Sequence, residues 1–312
     1  MVAWSGRELS DRASRHQGTS IRGLRSRWIV FAILMGTAAA CIKSPETALQ
    51  RLTEARRLSA DLWVLFTKTY DASNRAVMAD TDESSIEFAR EAEQTTQAIQ
   101  NDITALGPTL GDLGLSNEAR LLEEFKGRFT QYRALNRTIL DLAVENTNLK
   151  AQRLSFGPAQ EAADAFRQAL EAVVPADPAK DAWRAKALVA TAVLKVREIQ
   201  VQQAPHIAEA TDDVMTRLEQ QMAVSEREAR GALKVLAGLT SPSSQSQLDA
   251  AGAALDRFMS VNEKILALSR HNTNVRSLAL SLGQERTLAA SCETSLRGLE
   301  DALAKRESAA TR

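Results

Sequence analysis

The residues with the clearest capacity for binding chemistry are two matched asparagines, Asn136 and Asn262. Each occupies a position in a stripe of otherwise mostly apolar residues. The stripe positions recur at alternating steps of four and three, which is typical of packed helices. An amide at such a position can fix the register of the helices at some cost in stability. It can also form a polar layer that lines a ligand site between helices. Both interpretations place these side chains inside a helical bundle.

Catalytic and metal-binding patterns are missing from the sequence. The three histidines, His16, His206 and His271, stand apart from one another and from Cys41 and Cys292. The sequence contains neither the Glu-x-x-His pair of di-iron bundles nor the Cys-x-x-Cys-His motif of haem attachment. It also lacks a glycine-rich phosphate loop and a nucleophile elbow. We therefore expect no enzymatic activity, no metal and no cofactor.

The composition favours long helices and argues against a nucleic-acid partner. Lys plus Arg and Asp plus Glu number 39 each, so the chain has no net charge that would attract a polyanion. Aromatic residues make up only 4% of the chain, and Ala, Leu, Glu, Gln and Arg predominate. An apolar fraction of 44% is ample for a core. We therefore predict an all-α protein.

An internal duplication organises the chain. The segments 140–157 and 266–283 align without a gap, and 8 of their 18 positions are identical. Both segments contain the sequence Asn-Thr-Asn, at 146–148 and at 272–274. Such self-similarity indicates a repeated structural unit. We interpret Asn-Thr-Asn as a structural turn near the end of the third helix of each copy.

Each copy contains signals for four helices of roughly 25–30 residues. The segment Val174–Pro178 is the clearest internal boundary. We therefore predict two tandem antiparallel four-helix bundles, over 44–174 and 178–308. The chain reverses between the third and fourth helices either at Asn-Thr-Asn or at Gly157. The bundles are expected to meet at the ends that carry their termini; the alternative merges the fourth and fifth helices and stacks the bundles end to end.

The N-terminal 1–43 segment is typical of an export signal or a membrane anchor. Six arginines and two acidic residues precede the apolar run 28–40, which ends in small residues before Cys41. Lipidation of Cys41, an uncleaved short anchor and cleavage after Ala40 are all compatible with this pattern. Each of them places the bundles on the extracytoplasmic, periplasmic side of the cell membrane.

The sequence Leu266–Gly283, with Pro205-His206-Ile-Ala-Glu-Ala upstream, resembles the four-helix-bundle ligand-binding domain of bacterial methyl-accepting chemotaxis proteins. The resemblance covers each half of the chain and implies a periplasmic sensor that binds small molecules, often as a dimer. Receptors of this class use arginines on the first bundle helix to hold a ligand carboxylate. Arg75 and Arg197 are arginines on the corresponding helices, and they join Asn136 and Asn262 as candidate ligand-binding residues.

Two functions are compatible with these features. The first is a membrane-anchored, sensor-like bundle that binds a small ligand or a partner receptor in chemotaxis-type signal transduction, with a homodimer as a possible assembly. The second is a structural or scaffolding envelope lipoprotein that binds other proteins and senses nothing. A ligand pocket or an apolar groove on one bundle, and a dimer in solution, would favour the first, whereas a dry, fully apolar core would favour the second.

Overall fold

The computed structural model describes residues 45–173 and 182–310. Every regular element within these ranges is helical, which confirms the all-α class. The predicted signal or anchor in 1–43, with Cys41, and the boundary Val174–Pro178 lie outside the described residues. Within the described ranges, no helix combines the length and the apolar character that crossing a membrane requires.

Three long helices open each copy of the repeat. In the first copy they are α1 (Pro45–Met78), α2 (Asp82–Asp112) and α3 (Ser116–Glu145). Thr81 begins α2, because its hydroxyl accepts a hydrogen bond from the backbone N–H of Ser84 at 3.0 Å. Gly114, with a φ of +67°, turns the chain between α2 and α3.

The fourth helical segment of each copy is divided by a π-helical turn. The first copy continues through α4 (Thr147–Leu154), the turn Ser155–Ala159 and α5 (Gln160–Glu171). The second copy consists of α6 (Ala182–Ala208), α7 (Asp212–Ala237), α8 (Gln245–His271), α9 (Thr273–Leu280), the turn Ser281–Glu285 and α10 (Arg286–Ala310). The two π turns occupy matching positions, 126 residues apart. The π turns therefore belong to the repeated structural unit.

The fourth segment of each copy packs with the first three helices of the other copy. Bundle 1 consists of α1, α2, α3 and α9–α10, and bundle 2 consists of α4–α5, α6, α7 and α8. The core of bundle 1 accordingly joins Phe66 with Leu296, and the core of bundle 2 joins Phe166 with Phe258. The sequence analysis assigned each fourth helix to its own copy, within 44–174 and 178–308. The packing corrects that assignment.

The short connections at Asn146 and Asn272 explain the exchange. Each is the single residue between two helices, with a left-handed φ of 51° and 55°. Antiparallel helices in a hairpin are joined by loops of about two to five residues. One residue redirects the chain without folding the next helix back along the previous one. Each chain segment therefore passes on into the other bundle.

The bundles meet at the ends where α3 and α8 finish. The opposite end of bundle 1 holds the start of α1 and the end of α10, where Leu52 and Leu303 share a core. Arg56 and Glu307 form an ion pair across these two helices. The expectation that the bundles meet at the ends carrying their termini is therefore wrong. The end of α10 does return to the start of α1, as that expectation required.

Candidate functional site

A layer of hydrogen-bonded polar side chains crosses the core of bundle 1 at Asn136. This residue on α3 is 2% exposed. Its Oδ1 accepts a hydrogen bond from Ser73 on α1 at 3.1 Å, and its Nδ2 donates to the Tyr132 hydroxyl at 2.9 Å. The Ser73 hydroxyl also lies 3.1 Å from Oε1 of Glu285, the last residue of the second π turn. The layer therefore links α1, α3 and the entry to α10.

Glu285 is fully buried in this layer. Its Oε2 has no hydrogen-bond partner within the described chain. Burial raises the pKa of this carboxyl above its ordinary value, and the nearby hydroxyls of Ser281, Ser73 and Tyr132 offset the effect only in part. The Ser73 hydroxyl has one proton for two acceptor oxygens. A proton on Glu285 resolves that conflict by donating to Ser73.

Bundle 2 carries a matching layer without an acid. Gln203 Nε2 donates to Asn262 Oδ1 at 2.8 Å, and Ser155 donates to Gln203 Oε1 at 2.7 Å. Asn262 Nδ2 lies 3.8 Å from the sulfur of Met222. Both candidate asparagines thus face the cores of their bundles, as the stripe pattern predicted. Whether either one binds a ligand stays a prediction.

A surface cleft of about 740 Å³ opens directly outside the layer of bundle 1. Its floor includes Asn136, and its walls are side chains of α2 and α3, mostly polar. The residues that line it are Glu93, Gln94, Thr96, Gln97, Gln100, Thr130, Arg133, Ala134, Arg137 and Leu140. Its size falls within the range of small-molecule sites in proteins. One amide therefore belongs both to the buried layer and to an accessible cleft.

Two arginines flank this cleft on α3. Arg133 and Arg137 are exposed and lie one helical turn apart. Within residues 45–173 and 182–310, neither forms an ion pair or a side-chain hydrogen bond. Arginine is the side chain best suited to hold a carboxylate or a phosphate through paired hydrogen bonds. The rim of the cleft therefore offers two cations to a small anionic group.

The structure does not bring Arg75 and Arg197 to this cleft. Arg75 stacks 3.9 Å above the ring of Phe88 and lies 3.6 Å from Glu91 on the outer surface of bundle 1. Arg197 lies in bundle 2, where its guanidinium pairs with Asp164 at 3.0 Å. Both arginines are already engaged by neighbouring side chains. Their predicted role in ligand binding is untested, and nothing in their surroundings adds to it.

The two Asn-Thr-Asn motifs bind each other where the bundles meet. The backbone N–H of Thr147 donates to the Thr273 hydroxyl at 3.0 Å, and the N–H of Thr273 donates to the Thr147 hydroxyl at 3.2 Å. The Asn148 and Asn274 side chains accept from each other's backbone in the same reciprocal way, at 3.1 and 3.2 Å. These contacts satisfy N–H groups at the start of α4 and α9. The motif is therefore a structural joint with local twofold symmetry.

A charged network lies beside this joint in bundle 2. His206 is fully buried, with its Nδ1 2.9 Å from the Ser269 oxygen and its Nε2 2.9 Å from Glu219. The Ser269 hydroxyl donates its only proton to the His206 carbonyl oxygen, at 2.8 Å. Nδ1 must therefore donate to Ser269. Nε2 faces a carboxylate, and the Arg270 guanidinium lowers the pKa of Glu219. His206 thus bridges Ser269 and Glu219 inside bundle 2.

Sequence reasoning missed Glu285 and the network around His206. Glu285 aligns with the buried Ala159 of the first copy, and His206 aligns with the buried Ala76. An ionisable residue that replaces a core alanine between two aligned copies is a signal that the sequence does contain. It becomes informative only when the register of the duplication is applied to every helix. Among the described residues, no group of His, Cys, Asp and Glu side chains could hold a metal ion.

Comparisons with known proteins add little to this geometry. No protein-family model matches the chain, and no curated protein matches it. Among solved structures, a chain in the crystal structure of the TorS sensor domain–TorT complex in the presence of TMAO is similar at a TM-score of 0.39 and 12% identity. The match covers 80% of this chain and 99% of that chain. A likeness of this size supports no conclusion about ligand, partner or location.

Proposed function

We propose that this protein is a membrane-anchored, extracytoplasmic sensor-like module that binds a small anionic ligand in the cleft between α2 and α3. The observation that carries the proposal is the pair of unengaged arginines, Arg133 and Arg137, at the rim of a cleft whose floor is Asn136. The anchor and the extracytoplasmic location rest on the charge pattern of residues 1–43. The module acts with a separate signalling protein in chemotaxis-type signal transduction.

The ligand class follows from the walls of the cleft. Arg133 and Arg137 pair with a carboxylate or a similar anion, and Glu93 on the α2 wall accepts an ammonium group. Gln94 and Gln97 offer amides that donate to and accept from a polar ligand. Amino acids have this combination of groups, organic acids have its anionic part, and both fit a cleft of about 740 Å³.

A route for the signal follows from the exchanged helices. A ligand that contacts both α2 and α3 favours one spacing of these helices, and sensors use shifts of about 1–2 Å between packed helices. α3 leads through Asn146 into α4, whose Thr147 is hydrogen-bonded to Thr273 at the start of α9. α10 then returns to the start of α1. A displacement of α3 thus reaches the end of bundle 1 where the chain enters at Pro45.

Thermal-shift measurements on residues 43–312 test the proposal, because this segment forms one compact unit. The screen uses amino acids, organic acids and, as cationic comparisons, polyamines. A ligand at 100 times its Kd stabilises the folded state by about 2.7 kcal/mol. That corresponds to a rise in Tm of roughly 5–10 °C for a protein of this size. We expect such a rise with an anionic ligand and none with polyamines.

Matched variants identify the site. The double variant Arg133→Gln/Arg137→Gln should lose the ligand-induced shift and keep its own Tm within about 1 °C, because the substitutions are on the surface. Arg257→Gln changes an exposed arginine on α8, away from the cleft, and should keep the full shift. If no small molecule stabilises the protein, or if both variants respond like the wild type, the cleft is not the ligand site. The first of these results would favour the scaffolding lipoprotein.

A further inference from the structure

A pocket of about 290 Å³ opens at the joint between the two bundles. Helix α4 and the first π turn form one wall, the end of α6 forms another, and the start of α9 contributes the third. The side chains of Leu149, Phe156, Ile207 and Val275 make most of its surface apolar, and none of the residues that line it is charged. This pocket therefore differs in chemistry from the arginine-flanked cleft between α2 and α3.

Most polar side chains around the pocket are already engaged. Asn148 donates one amide hydrogen to the Ile207 carbonyl, at 2.6 Å, and the other to the opposite Asn-Thr-Asn motif, at 2.8 Å. The Ser155 hydroxyl donates to Gln203 at 2.7 Å. Gln152 is different, because it is exposed and its amide forms no hydrogen bond within the described part of the chain. The pocket therefore offers an apolar surface and one free amide.

The other side of the joint shows how this pocket arises. There Asn74 and Met78 of α1 stand at the positions of Ala204 and Ala208, 130 residues earlier. The Asn74 side chain accepts a hydrogen bond from Ser281 of the second π turn at 2.7 Å, so it crosses the space between α1 and that turn. Ala204 cannot reach across in this way, and Ala208 is shorter than Met78. The second copy has thus left open, beside the first π turn, a space that Asn74 occupies on the other side.

We propose that the pocket at the joint binds a small neutral molecule with an apolar body and a single hydrogen-bonding group. The body covers Phe156, which is 70% exposed, and packs against Leu149, Ile207 and Val275. The hydrogen-bonding group pairs with the free amide of Gln152, which can both donate and accept. An ion is disfavoured, because the pocket has no charged side chain to offset the loss of its hydration.

The place of the pocket in the fold links its occupant to the joint. A molecule bound there contacts α4 and α6 of bundle 2 and also α9, which leads into α10 of bundle 1. Ser155 and Phe156 belong to the first π turn, and π turns inside helices are frequent at functional sites. The bound molecule therefore stabilises the present arrangement of the joint. This site is separate from the cleft and does not depend on a ligand there.

Fluorine NMR of para-fluorobenzyl alcohol, mixed with the 43–312 unit, tests the proposal. This probe is neutral, with a ring for the apolar walls and one hydroxyl for Gln152. We expect saturable line broadening with a Kd of about 1 mM, as is usual for so small a ligand. The para-fluorobenzylammonium ion has the same ring and a positive charge, and it should bind at least tenfold more weakly. Absence of saturable broadening with the alcohol, or equal binding of the ion, overturns the proposal.

Two matched pairs of variants locate the bound probe. Ala208→Met introduces the residue of the first copy and should weaken binding at least tenfold, whereas Ala187→Met, near the start of α6, should leave it unchanged. Phe156→Ala should weaken binding about threefold or more, and Leu282→Ala, at the aligned position of the second π turn, should have no effect. All four positions are exposed, so the variants keep the fold. Binding that survives both Ala208→Met and Phe156→Ala overturns the assignment to this pocket.

A last comparison separates the pocket from the cleft. The double variant Arg133→Gln/Arg137→Gln should bind the alcohol like the wild type, because both arginines lie on α3 and neither lines the pocket. Loss of binding in this variant would place the probe in the cleft and overturn the proposal. A failure to find an anionic ligand for the cleft leaves this result unaffected, so the two proposals fail separately.

Discussion

In bundle 1, Phe66, Phe125 and Phe129 pack in a cluster of aromatic rings with centroids 5.6–6.3 Å apart. Smaller aliphatic residues occupy the aligned positions of bundle 2, namely Val196, Ala251 and Leu255. The fourth helices compensate in the opposite sense. Cys292 of α10 lies in the core of bundle 1, and the residue aligned with it, Phe166 of α5, lies in the core of bundle 2. The duplicated frame thus tolerates a redistribution of volume as long as each core stays filled.

The polar residues of the two bundles are also distributed differently. The central layer contains a buried acid in bundle 1 and only amides and a hydroxyl in bundle 2. Next to the joint the order is reversed. Bundle 1 is apolar there, with Ala76, Ala89 and Ala143, where bundle 2 has His206, Glu219 and Ser269. Differences between aligned positions therefore mark the places where each copy has acquired its own chemistry.

The first prediction concerns the two cores. Phe66→Ala should lower the free energy of unfolding by about 3–5 kcal/mol, because a fully buried aromatic ring leaves a large cavity. Val196→Ala at the aligned position should cost roughly half as much, because it removes two methyl groups. Chemical denaturation followed by circular dichroism measures both values. Equal losses would contradict the contrast between an aromatic side chain and a smaller aliphatic one at these aligned positions.

The exchange of fourth helices adds a second expectation for the same variant. α5 and α10 each belong to one copy and pack with the helices of the other. Unfolding of bundle 1 should therefore also unfold bundle 2. Hydrogen exchange followed by mass spectrometry should show peptides of α2 and α7 losing protection together in Phe66→Ala. Loss confined to α2 would show that the bundles unfold independently.

The second prediction concerns the joint, where the two copies are alike. Thr147→Ala and Thr273→Ala should each cost about 1–3 kcal/mol, because each leaves a buried backbone N–H of the other motif without a partner. The two losses should be similar, and the double variant should lose less than their sum. Denaturant unfolding of the two single variants and the double variant gives the coupling. Strictly additive losses would show that the reciprocal bonds do not act as a unit.

The helices, their order and the register of the duplication follow from local patterns, and these predictions agree with the described structure. The pairing of fourth helices does not follow from such patterns. The buried faces of α5 and α10, with residues such as Leu170 and Leu296, are equally apolar and fit either bundle. The connection length was informative, because one residue at Asn146 is too short for a helical hairpin. The sequence pattern predicted Asn136 as a polar residue in the core. It could not predict the cleft beside this residue, because the cleft depends on the distance between α2 and α3, which the periodicity of apolar residues does not determine.

The third prediction concerns the acid that distinguishes the central layer of bundle 1. The pKa of Glu285 is raised by burial, so between its unfolded value of 4.5 and its raised folded value the native state binds more protons than the unfolded state. The stability of the wild type should therefore fall as pH rises through that window. Glu285→Gln keeps the shape of the side chain without the ionisation, so it should remove this slope.

The expected gain from Glu285→Gln is about 1–2 kcal/mol at neutral pH, within the usual cost of a buried polar group with an unmatched oxygen. The difference from the wild type should shrink as pH falls from the raised folded pKa to 4.5, below which the wild-type carboxyl is protonated in both states. Denaturant unfolding at several pH values between about 4 and 8 measures it. Glu161→Gln, at an exposed position of α5, should show the same dependence of unfolding free energy on pH as the wild type. A Glu285→Gln curve that also runs parallel to the wild type would mean that Glu285 ionises without cost, and the two central layers would then be electrostatically equivalent.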